Sequence, residues 1–161
     1  MMMKRELNIL IAAVFIWTAG IVAAPVFTGT WFSEQLYRLY AVVCHQFDER
    51  SFHWQDHPFG VCIRCTSIYL SFLAALILVR FQPRLQNADW KALRILAVTG
   101  IPIALDGIGS LLSLWDSTLA SRVFTGLLFG AGLALLLHAD LTESIRSLEK
   151  RIGNHYESET R

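Results

Sequence analysis

Residues 7–27 read LNILIAAVFIWTAGIVAAPVF. No Asp, Glu, Lys or Arg interrupts the run, and about 20 predominantly apolar residues suffice for a helix to cross the hydrocarbon of a bilayer. The stretch therefore reads as a transmembrane helix and not as the amphipathic helix of a soluble domain. Lys4 and Arg5 precede it, and Val22-Ala23-Ala24 near its end resembles a signal cleavage site. Pro25 follows directly, where cleavage is poorly tolerated, and the run is long for a signal core. It is read as a retained span.

Three more runs have the same character. Residues 61–79 carry Arg64 just inside their start, and residues 95–115 contain a single carboxylate, Asp106. Residues 123–139 are the shortest and depend on their flanks to reach both interfaces. Composition agrees: of 161 residues, 54% are hydrophobic and 17% charged, against about 25% charged in soluble domains. Mean hydropathy is +0.44. The expected fold is all-α: one domain over residues 1–161, an integral membrane four-helix bundle inserted in the lipid bilayer. A formal net charge of +1 leaves no basic excess to neutralise a phosphate backbone, so nucleic acid is set aside as a partner.

Lys and Arg set the orientation, because cytoplasmic loops carry their excess. With the N-terminus inside, the inner set is Lys4, Arg5, Arg80, Arg84, Lys91, Arg94, Arg146, Lys150, Arg151 and Arg161; the outer set is Arg38, Arg50, Arg64 and Arg122. Ten against four places both termini in the cytoplasm of a multi-pass protein of the plasma (inner) membrane. Residues 28–60 then form an outer loop. In it Phe32, Leu36, Leu39, Tyr40 and Val43 recur with helical period, which predicts an interfacial helix with those residues on its apolar face. Leu141, Ile145, Leu148 and Ile152 predict a short amphipathic cytoplasmic helix over 140–153.

The chemistry lies in three cysteines, all at the outer membrane edge. Cys44 precedes His45, and Cys62-Ile63-Arg64-Cys65 opens the second span. Cys62 and Cys65 share one helix face at a helix start, where the N-terminal field favours thiolate. Three readings stay open. Cys44, His45, Cys62 and Cys65 make a Cys3His set suited to tetrahedral zinc, although adjacent Cys44 and His45 need a sharp bend to share one ion. Alternatively two cysteines form a disulfide and the third is a reactive thiol, as in an extracytoplasmic thiol–disulfide protein. Or the cysteines only pack, and the chain is a non-catalytic scaffold or partner subunit.

Asp106 needs a partner or a cavity, since a charge in hydrocarbon costs at least about 2.5–3.5 kcal/mol. Arg64 is nearest in depth and Arg122 next. The pair either fixes helix register or makes Asp106 a proton acceptor or supporting partner of the Cys/His site. Asp106, Arg64, Arg50 and Arg122 are accordingly the candidates for any catalytic role. Arg50, Arg64 and Arg122 could also form an anion site, against the simpler pairing of these arginines with Asp48, Glu49 or Asp116. His53 and His57 could share a metal if that stretch is helical, while Phe52 and Trp54 favour interface anchoring. Gly126 and Gly130 form a small-residue face for helix packing, a candidate surface for a homo-oligomer or membrane partner. No Gly-rich phosphate loop, Gly-x-Ser-x-Gly or His-Glu-x-x-His occurs, and one intramembrane carboxylate without a repeat speaks against a secondary transporter.

Taken together, Cys44-His45-Gln46, Arg50-Ser51-Phe52 and Val61-Cys62-Ile63-Arg64-Cys65-Thr66 with Tyr69 resemble a family of small prokaryotic four-helix membrane proteins classed as a domain of unknown function. Asp106-Gly107, and Arg122 with Thr125-Gly126, match its further marks, so the resemblance covers roughly residues 40–132. The family usually has Thr-Gly where this chain has Thr66-Ser67, which bears on close helix contact at that point. The resemblance implies a membrane fold and points to the same residues; it assigns them no activity.

Overall fold

A computed structural model describes residues 2–82 and 92–138. Among them are α1 (Met2–Val26), α2 (Trp31–Ala41), a 3-10 turn (Asp48–Arg50), β1 (Ser51–Trp54), β2 (His57–Cys62), α3 (Ile63–Phe81), α4 (Ala92–Leu111) and α5 (Leu119–His138). The expected tail helix over 140–153 lies outside the described residues.

The described chain is mostly helical, and among the described residues three helices are long and apolar enough to span a membrane. They are Arg5–Val26, Ile63–Phe81 and Leu119–His138, with mean hydropathies of 2.4, 1.6 and 1.7. At ~1.5 Å per residue the 20 residues of α5 extend about 30 Å, the depth of bilayer hydrocarbon. The run that is shortest in sequence thus reaches spanning length by starting four residues earlier, at Leu119. The apolar part of α4, Ala97–Leu111, is shorter than the other three. Phe15, Ile16, Leu78, Leu105 and Phe124 stand exposed on these helices. Such bands are a liability in water and are what lipid chains would cover.

Residues 28–60 are more structured than an interfacial helix and loop. Gly29, at φ +81°, turns the chain after α1, and the Thr30 hydroxyl then accepts from the Ser33 amide at 3.3 Å to start α2. Glu34 in the first turn and Arg38 in the last suit the helix field. The face that α2 buries keeps Tyr40 and Leu36 of the expected apolar stripe and leaves out the rest. Ser33 and Tyr40 are buried, whereas Phe32, Leu39 and Val43 are each half exposed. The reason is specific: Ser33 Oγ donates to the Ala24 carbonyl at 2.6 Å and Tyr40 Oη to the Trp17 carbonyl at 2.6 Å, and these bonds rotate α2 onto α1. Phe32, Leu39 and Val43 are left facing outward.

An antiparallel hairpin follows, a departure from the all-α expectation. Its register pairs Ser51 with Cys62, His53 with Pro58 and Trp54 with His57. Gln55 and Asp56 between the strands have φ of +48° and +66°, the double positive φ that a two-residue hairpin turn of this kind demands. His53 and His57 are therefore on different strands, and the helical spacing on which a shared metal depended does not exist. His53 instead pairs with Asp48 at 3.2 Å.

The hairpin and α2 close over one end of α1 and α3 in a cluster of Ile21, Tyr40, Cys44 and Val61. A second cluster of Leu7, Ala75, Leu76 and Ala134 joins α1, α3 and α5 at the other end. Helix α5 lies so close to α3 that a Cβ on Gly126 would sit 2.8 Å from the Arg64 carbonyl oxygen, and one on Gly130 would sit 2.2 Å from that of Ile68. The Gly126/Gly130 face, expected as a surface for a second copy or a membrane partner, is thus occupied within the chain by α3. Ser67 packs directly on Gly126, 2.9 Å from where that Cβ would be, and folds its hydroxyl onto the Ile63 carbonyl. The close helix contact survives the Ser because Gly126 supplies the room.

Candidate metal centre

Three elements each bring one sulfur to the same point. Cys44 follows α2 directly, with its amide donating to the Tyr40 carbonyl at 2.9 Å, so the end of α2 fixes its position. Gln46, at φ +50°, then reverses the chain; its side-chain amide donates to the Tyr37 carbonyl at 2.8 Å and to that of Gly60 at 2.7 Å. This clamp ties α2 to β2 and closes the sharp bend after Cys44. Cys62 ends β2 and is also the N-cap of α3, and Cys65 lies in the first turn.

All three Sγ atoms lie within 4.8 Å of one another, the sole such grouping of potential metal ligands among the described residues. All three are free thiols, and Cys44 is buried at 7% exposure. A tetrahedral zinc with Zn–S bonds of about 2.3 Å spaces its sulfurs by about 3.8 Å, so the cluster needs to contract by an ångström or less. Hydrogen bonds from the Cys62 and Cys65 thiols, and then from the Cys62 and Gln46 amides, hold the Cys44 thiol well below its usual range. The Cys62 thiol is pushed up because its proton serves Cys44. The Cys62 amide reaches Cys44 Sγ at 3.2 Å. Cys62 is the N-cap residue of α3, so this bond places the Cys44 sulfur at the positive end of that helix. The arrangement stabilises negative sulfur, the form that binds a soft cation or attacks a disulfide.

His45 is not part of the sulfur cluster. It is exposed, and its ring stacks parallel to Phe47 with centroids 5.9 Å apart. It does line a pocket of about 420 Å³ whose wall includes Cys44, Cys62 and Cys65. Arg50, Arg64 and Arg122 line the same pocket. Every residue expected at the site therefore borders one space, except Asp106, which is joined to it by an ion pair with Arg64. Asp106 is 8% exposed, and the Arg64 side chain is a quarter exposed.

Ser117 is the residue that sequence reasoning missed. Its hydroxyl accepts from Arg122 Nε at 2.8 Å and lies 3.5 Å from Arg64 Nη2, so it bridges two like-charged groups. It sits in the link between α4 and α5, a position without motif or periodicity. Gln46 was quoted as part of a signature but given no task; its task is the clamp. Among the described residues neither Arg50 nor Arg122 pairs with a carboxylate. The simpler expectation that they pair with Asp48, Glu49 or Asp116 is not met.

Comparison with known proteins gives the following. The family model described as Predicted membrane protein (DUF2085) matches residues 44–136, from Cys44 through the hairpin and α3 into α5. An uncharacterized protein of Methanocaldococcus jannaschii is 32% identical over 136 residues, covering 80% of this chain and 87% of that one. An uncharacterized protein of Methanothermobacter thermautotrophicus is 37% identical over 94 residues, covering 58% of this chain and 83% of its own. No solved structure matches the chain.

Proposed function

The chain belongs to the DUF2085 family of predicted membrane proteins, and we propose that it is a four-span protein of the plasma membrane carrying a thiolate zinc site on its outer face. In this reading α4 is the remaining span, completed by residues before Ala97, and both termini are cytoplasmic. The excess of Lys and Arg in the loops assigned to the inside supports that orientation. The observation that carries the metal reading is the convergence of three sulfurs from α2, β2 and α3 within 4.8 Å. Chance packing of three thiols seldom places all of them at ligand spacing around one point.

Cys44, Cys62 and Cys65 are the metal ligands proposed. His45 borders the same pocket and is the protein's own candidate for a fourth donor, reached by leaving its stack on Phe47; otherwise the fourth position faces the pocket and takes a water or ligand oxygen. The first arrangement makes the ion a staple between the α2 end and α3. The second leaves it able to polarise a bound oxygen.

Replacing any one of Cys44, Cys62 or Cys65 by Ser is expected to lower bound zinc from stoichiometric to trace, measured as metal content of detergent-purified protein. Full metal in all three variants contradicts the site. A thiol count on the same samples, with and without reductant, tests the redox alternative, which the same sulfur proximity also supports. Metal-free protein with two cysteines oxidised would assign the cluster to thiol–disulfide exchange.

A further inference from the structure

The metal reading leaves three arginines unexplained. Arg50, Arg64 and Arg122 come from the 3-10 turn, from α3 and from α5, yet all border the pocket of about 420 Å³ beside the sulfurs. Asp106 neutralises Arg64, and no other carboxylate within the described residues pairs with any of the three. Asp48, the acidic neighbour of Arg50, is engaged by His53 instead. Two guanidiniums, those of Arg50 and Arg122, are thus left without a carboxylate partner among the described residues, around one concave space.

Like charges gathered at a membrane edge repel, and the fold spends several contacts holding them there. Ser117 bridges Arg64 and Arg122. Arg50 is held over the Phe47 ring at 5.4 Å. Among the described residues the buried Nε of Arg64 has no hydrogen-bond partner.

We propose that Arg50, Arg64 and Arg122, with Ser117, bind a phosphate-type oxyanion in this pocket. Guanidinium groups suit that ligand because their planar donor sets match the oxygens of phosphate in pairs. Val43 and Leu111, which are exposed, add an apolar wall to the same pocket, so the phosphate can arrive free or as the headgroup of a membrane lipid. The site rests on the arginines and not on zinc, so it stands or falls separately from the metal reading.

The test uses full-length protein in a zwitterionic detergent and in nanodiscs, before and after chelation. Inorganic phosphate is titrated by calorimetry, and retention of phosphatidylglycerol against phosphatidylcholine is read by native mass spectrometry. Binding of either probe that survives chelation, weakens with added salt, and weakens about tenfold or more in Arg122→Gln is the expected result. Phosphate binding without lipid preference identifies a soluble ligand; selective retention of phosphatidylglycerol identifies a headgroup. An Arg50→Gln variant, whose side chain is on the surface and carries little packing, guards against misfolding of Arg122→Gln. Zinc content should be unchanged in both. No binding of either probe, or binding unaffected in both variants, overturns the proposal.

Discussion

Asp106→Ala is expected to destabilise the protein by about 3 kcal/mol, the cost of leaving a partly buried arginine without its counter-ion. Asp106 is nearly inaccessible, and its carboxylate is the acceptor that holds Arg64 against α4. Among the described residues, removing it leaves Arg64 with the long contact to Ser117 and an Nε without a hydrogen-bond partner. Water entering from the pocket limits the loss, which is why the figure lies at the low end for a broken buried pair. Arg64 sits between Cys62 and Cys65, so its release should also loosen the start of α3 and weaken metal retention. Replacing both partners, Arg64→Met with Asp106→Leu, is expected to recover most of the stability, because two desolvated charges disappear together. Thermal unfolding in detergent measures both. Equal loss in the single and double variants would show that the pair is not the source.

Tyr40→Ala should cost more, about 3–5 kcal/mol, as for other large core aromatics. Tyr40 is 1% exposed and fills the gap between α1, α2 and β2. Its ring meets Trp17 edge-on with centroids 4.9 Å apart. Burial pushes its phenol up to about 12, so the hydroxyl remains a donor to the Trp17 carbonyl at any working pH. The fit is closed by two glycines. A Cβ on Gly20 would lie 2.3 Å from the Tyr40 hydroxyl, and one on Gly60 would lie 2.8 Å from its ring. The Tyr40 carbonyl also receives the Cys44 amide, so a shift of α2 into the void displaces the first thiol and zinc content should fall as well. Tyr40→Phe, which loses only the hydroxyl bond, is expected to cost about 1 kcal/mol. It should also soften Gly20→Ala, whose clash is with that hydroxyl. If Gly20→Ala is equally harmful with Tyr and Phe at position 40, the packing described here is wrong.

Long uninterrupted apolar runs made the membrane class legible in the sequence, since a charge-free stretch as long as residues 7–27 matches the thickness of bilayer hydrocarbon. The positions of the three cysteines at span and loop edges were enough to gather them. What could not be read depended on single hydrogen bonds between distant segments. On α2, Tyr40 of the expected apolar face is buried, but Ser33, which carries no apolar signal, is buried with it through the Ala24 carbonyl while Phe32 and Leu39 stay half exposed. The hairpin was hidden because its turn uses Gln55-Asp56, where Asn-Gly is the recognisable signal. Gly126 and Gly130 showed a packing face but not its occupant, as α3 and a second copy present the same kind of surface. Ser117 had no local pattern at all; only the fold reveals that it stands between Arg64 and Arg122.

His45 poses the question closest to function. Its position next to Cys44 suggested a shared ion, yet its ring rests on Phe47 beside the sulfurs and not among them. X-ray absorption at the zinc edge of the purified protein in nanodiscs reads that coordination directly. Three sulfur scatterers at about 2.3 Å with one nitrogen or oxygen nearer the metal is the expected result. Multiple-scattering features of an imidazole would identify the fourth donor as His45, and their absence would leave that position to the pocket. A shell without sulfur, or protein that takes up no zinc while its three thiols stay reduced and reactive, would contradict the metal centre.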